Sequence, residues 1–205
     1  MISIFYKLKN NKRNRGMTYV ELIVVLSIFA VMSTITIFNY GEFQARVDIK
    51  NLANDIALRI VEAQKAALSG QFPSLSQQVG LPLTWNPSYG VYLNPTSNNT
   101  SFVYFVDLNG NNLYEGSSCS GECVETINIT RGNQISGLQV FYLGNPNGQN
   151  LSNATVSFRR PNVSAIIRSS VALGPNISHL EITVVSPKSP QATIKLYASG
   201  RVQIN

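Results

Sequence analysis

The chain has 205 residues, with 16 Lys and Arg against 10 Asp and Glu, a formal net charge of +6, a single histidine and two cysteines. Five of the basic residues, Lys7, Lys9, Lys12, Arg13 and Arg15, precede residue 16 without an acidic residue among them, which leaves 11 basic against 10 acidic residues in the rest. A nearly neutral body removes the case for a strongly basic nucleic-acid binder, and the length suits one sizeable domain.

From Leu22 to Gly41 no residue is charged, and LIVVLSIFAVMSTITIF is long enough to cross a hydrocarbon layer roughly 30 Å thick. The basic residues ahead of it hold the leading end in the cytoplasm by the positive-inside rule, so everything after the run lies outside the inner membrane. Beyond Gly41 the pattern becomes one-sided. Val47, Leu52, Ile56, Ile60 and Ala67, with Ala53, Ala57 and Ala63, recur at helical steps among Asp48, Lys50, Asp55, Arg59, Glu62 and Lys65. One nearly continuous helix is expected from about Met17 to Ser69, roughly 80 Å long at about 1.5 Å per residue. Its first half, 17–41, meets lipid or other helices, and its second half, 42–69, covers a globular core.

From residue 70 to 205, Pro, Gly, Asn and Ser punctuate short β-rich runs: GVYLN, SFVYFVD, TINIT, LQVFYL, TVSFRR, LEITVVS and TIKLYAS. The fold class is therefore α+β, a long N-terminal helix packed on a mainly antiparallel β head. Leu180, Ile182 and Val184, and likewise Ile194 and Leu196, alternate with polar residues, so one face of each strand is expected to pack on the helix. Ser199-Gly200 reads as a tight turn into a last strand, and the stretch 144–153 as a solvated loop.

Cys119 and Cys123 are close in sequence in CSGEC, and an extracytoplasmic location favours a small-loop disulfide; a metal pair would need further ligands. Asp107, Asn109, Asn111 and Glu115 place oxygens at loop positions one, three, five and nine around Gly110, a spacing that suits calcium, without the twelfth-position Glu of a full EF-hand. The same residues suit an Asn-Gly turn, and both readings stay open. Arg159 and Arg160 read as a solvated strand edge. Tyr89, Tyr92, Tyr104 and Phe105 read as packing. An enzyme would need a convergent nucleophile and base. His179 has only Glu181, two residues on along its strand face, and nothing resembles a nucleophile elbow, a phosphate loop or a metal-binding His pair, so the chain reads as no enzyme.

Residues 15–26, RGMTYVELIVVL, resemble the cleavage and methylation signal of type IV pilins and type II secretion pseudopilins. The resemblance implies a leader, residues 1–16, removed by prepilin peptidase after Gly16. It also implies N-methylation of Met17, and Glu21 as the glutamate that pairs with a neighbouring subunit's terminal amine and sets assembly register. A capping box between Thr18 and Glu21 is the structural alternative. Ala30 and Phe38 stand where many family members carry Gly and Pro, which argues against local melting of the helix during assembly or moves it to Asn39-Tyr40-Gly41.

In the head, FVYFVDLNGNNLYEG, VSFRRPN and KLYASGRVQIN resemble the GspH/FimT family of minor pseudopilins and minor pilins, whose head is a pair of small sheets. The implied protein is a low-copy filament subunit. Its implied partners are prepilin peptidase, other pilins or pseudopilins and the bacterial inner membrane, which it crosses once with the head extracytoplasmic. A major pilin, or the tip subunit of a DNA-uptake fibre, is the alternative. DNA binding is neither supported nor excluded, and calcium is the one cofactor the residues suggest.

Overall fold

The computed structural model describes residues 16–79, 81, 85–116 and 119–205. The basic residues 7–15, which carry the orientation and most of the leader reading, lie outside them. The chain divides into two compact units, one ending at Gly41 and one running Glu42–Asn205.

One helix, α1 (Tyr19–Ser69), begins in the first unit and ends in the second. It starts two residues later than expected, because Thr18 acts as its cap: Thr18 Oγ1 accepts the Glu21 amide at 3.3 Å and the Thr18 carbonyl accepts the Leu22 amide. It ends at Gly70, whose φ of +69° reverses the chain. The amide of Gly70 bonds the Ala67 carbonyl and that of Gln71 the Ala66 carbonyl, the paired bonds of a Schellman stop.

The described residues of the head contain ten strands: β1 (Ser88–Asn94), β2 (Asn98–Val106), β3 (Cys123–Asn128), β4 (Gln134–Tyr142), β5 (Asn145–Leu151), β6 (Ala154–Arg159), β7 (Ile166–Arg168), β8 (Ile177–Val185), β9 (Gln191–Tyr197) and β10 (Val202–Ile204). They form two antiparallel five-stranded sheets, ordered β3-β2-β1-β6-β7 and β10-β9-β8-β4-β5. The α+β class and the helix packed on an antiparallel head are thus as expected. Ala45, Ile49, Leu52, Ala53, Ile56, Ile60, Ala63, Ala66 and Ala67 form the buried stripe of α1, and from Ile49 on they share one core with both sheets. Val47 is only half-buried, and the stripe begins instead through Ala45 and Ile49.

Alternation sets the second sheet. Leu180 lies opposite Leu196 and Val140, and Ile182 opposite Ile194 and Leu138, all buried, so a one-residue slip of β8 would turn its apolar set outward. The turn into β10 forms as expected: Gly200 (φ +88°) donates its amide to the Tyr197 carbonyl at 2.8 Å. One expectation is corrected. The stretch 144–153 contains β5, paired with β4 from Leu138↔Leu151 to Tyr142↔Asn145, because an edge strand needs only Leu151 to face the core. Arg159 ends β6 opposite Ser88 of β1 and past the last β6–β7 pair, Ser157↔Ile166, and Arg160 just beyond it is exposed.

Candidate functional site

Two regions hold the candidate residues. In the first, Gly16, Met17 and Glu21 are all exposed. The cap at Thr18 uses the backbone amide of Glu21, and no described residue bonds its carboxylate. Only the Thr18 half of a capping box is therefore built. Behind Glu21 every large apolar side chain from Leu22 to Ile37 is at least 44% exposed. Within the run Ser27, Thr34 and Thr36 return their hydroxyl protons to the carbonyls of Val24, Ala30 and Met32, which satisfies them without water. By length and composition this helix can cross a membrane.

The second region is the connection between β2 and β3. The Asp107 carboxylate is fully buried; Oδ1 accepts the Gly110 amide at 2.6 Å and Oδ2 the Asn112 amide at 2.9 Å. Asn109 Oδ1 accepts the Asn111 amide and Asn111 Oδ1 the Leu113 amide, while both asparagine side chains donate to Glu115. The loop is thus a nest of Asx turns rather than a two-residue Asn-Gly hairpin. The oxygens suggested for calcium are engaged by N–H groups that a cation would have to displace. Among the described residues no group of three His, Cys, Asp or Glu side chains is placed to hold a metal ion.

Sequence reasoning missed Glu122. It is 6% exposed; Oε1 accepts the Leu108 amide and Oε2 the Glu115 amide, so it ties both ends of the Asx nest together. Burial raises its pKa above the usual carboxylate range, with the negative charges of Asp107 and Glu115 adding to the rise against the two amide bonds. Its only signal in the sequence is its place inside CSGEC. Cys119 and Cys123 are joined by a disulfide with their Cα atoms 4.9 Å apart, and this small ring carries Glu122. Trp85 Nε1 donates to the Asp107 carbonyl and Gln77 Nε2 to the carbonyls of Gly121 and Cys123, so the segment after α1 braces the same loop. Arg159 reaches over it to the Gly110 carbonyl at 3.5 Å.

The aromatics pack. Tyr89 and Tyr104 lie in the core with ring centroids 6.1 Å apart, while Phe105 and Tyr92 contact Tyr114 of the loop. His179 and Glu181 share a strand face, Nε2 to Oε1 at 3.2 Å, and Ser178 Oγ lies 3.1 Å from Nδ1. Glu181 is also bonded by Lys195 at 2.6 Å, and the imidazole is stacked on Phe141 at 4.8 Å beside Tyr197 at 5.5 Å. That arrangement holds the ring as part of a cross-strand ladder. Comparisons with protein-family profiles, with curated proteins and with solved structures found no match to this chain.

Proposed function

We propose that this chain is a structural subunit, a minor pilin or pseudopilin, of a type IV pilus or type II secretion-like filament. On this reading prepilin peptidase removes residues 1–16 and methylates Met17. The subunit waits in the bacterial inner membrane, crossing once with its head outside the cytoplasm, and then enters the filament through α1. One observation carries the reading: a carboxylate without a described partner, Glu21, heads an uncharged helical surface that is exposed on all sides. Apolar surface on that scale requires lipid or other helices, and a carboxylate at its edge requires a cation. The amine created by cleavage, on a neighbouring subunit, supplies one. A head with two β-sheets is bulky to repeat along a whole fibre, which favours a low-copy role. The proposed role is structural rather than catalytic.

Because the cap uses the amide of Glu21, both Glu21→Ala and Glu21→Gln keep the Thr18 bond. Loss of the ion pair weakens the intersubunit contact by about 3–5 kcal/mol. Both variants are expected to be processed and inserted normally and to be absent from sheared filaments. Wild-type recovery of both in filaments would defeat the assembly role of Glu21.

A further inference from the structure

The head has a polar recess of about 470 Å3 lined by Glu42, Arg46, Lys188, Ser189, Pro190 and Gln191. Glu42 directly follows the uncharged run in sequence, so chain connectivity alone keeps this recess beside the end of the apolar segment. Arg46 and Lys188 are exposed, and neither has an ion-pair partner among the described residues. Asp48, on the same stretch of α1, is instead bonded by Arg131 and by Gln44 Nε2.

The recess is also held in shape. Lys188 sits in a turn closed by the Ser189 amide on the Ser186 carbonyl and the Ser186 amide on the Pro190 carbonyl, with Pro187 and Pro190 flanking it and Ser189 at φ +80°. The neighbouring turn at Gly132 lies against Pro187. Phe43, 64% exposed, stands beside Arg46 on the same stretch of α1.

We propose that Arg46 and Lys188 bind the phosphodiester of a phospholipid headgroup in the leaflet next to the head. Two cations on a rigid turn and a helix match a phosphodiester, and Glu42 in the same lining matches the ammonium carried by an ethanolamine headgroup. The contact would hold the subunit's head at the membrane surface before assembly. The inference rests on the membrane reading given above.

The test uses the full chain in lipid nanodiscs and follows acylation of Lys188 by an amine-reactive ester, with Lys195, which is bonded to Glu181, as internal reference. Discs of phosphatidylethanolamine and phosphatidylglycerol are compared with discs of phosphate-free glycosyldiacylglycerol, the latter also with added inorganic phosphate. Lys188 should react about fivefold more slowly in the phospholipid discs, and Arg46→Gln should remove most of that protection. Equal rates in the two lipids, or unchanged protection in Arg46→Gln, would overturn the proposal. So would protection by inorganic phosphate alone, which would mark a soluble-anion site. A chain that fails to enter either disc would overturn the proposal together with the membrane reading, whereas insertion without protection would overturn the proposal alone.

Discussion

Tyr89 and Tyr104 sit in the head core, where Tyr89 Oη donates to the Gln71 carbonyl at 3.2 Å. Burial pushes the Tyr89 phenol up to about 12 and raises Tyr104 further, with the negative charge of Glu62 adding to the latter. A raised phenol pKa means that the neutral form stabilises the fold. That contribution is complete below the unfolded value of about 10 and is lost as pH rises from there through about 12. Phenolate absorbance should therefore show Tyr89 and Tyr104 ionising only with alkaline unfolding, after the exposed tyrosines; a single normal class with the fold intact would contradict their burial. The cysteine pair acts on the same scale. Five residues in the closed loop remove little chain freedom, so reduction should lower stability by about 2 kcal/mol at most, and the non-reduced chain should show no reactive thiol. Quantitative labelling of both cysteines would disprove the pairing. Both the pairing and the packing of the tyrosines could be read from the sequence. The buried Glu122 could not, because its role depends on amides seven and fourteen positions away in the folded loop.

Among elements, legibility followed apolar alternation. Strand β8 announces itself through Leu180, Ile182 and Val184, and α1 through a stripe of aliphatic and alanine residues. Strand β5, NPNGQNL, offers no such pattern: it lies at a sheet edge, where Pro146 is tolerated and only one side chain need be buried. The three-residue β7 is too short to show a period. The β9–β10 turn was readable, but the reason it must contain Gly200 was not. A Cβ there would strike the Val163 carbonyl oxygen and Gln64 Nε2, which are themselves hydrogen-bonded at 2.8 Å, in addition to the strain of φ +88°. Gly200→Ala should lower stability by about 1–3 kcal/mol, while Ser199→Ala stays near wild type. Equal unfolding midpoints for the two variants would show that the turn relaxes freely.

At the scale of the whole molecule, the change from uniformly apolar to one-sided sequence after Gly41 coincides with the division into two compact units. The two halves of α1 obey different demands. Residues 45–67 bury their stripe within their own head, and among the described residues the large apolar side chains of 22–37 stay exposed. That imbalance was legible from composition; the partners proposed to relieve it are lipid and other subunits. The central claim is that the helix is kept and only the leader is removed, which separates this processing from that of a secretory signal. The most direct measurement is the intact mass of the chain recovered from the cell envelope. The account predicts a protein beginning at Met17 and carrying one N-methyl group, heavier than the unmodified chain by a CH2 unit; a form that retains residues 7–15, or one that lacks the apolar run altogether, would contradict it.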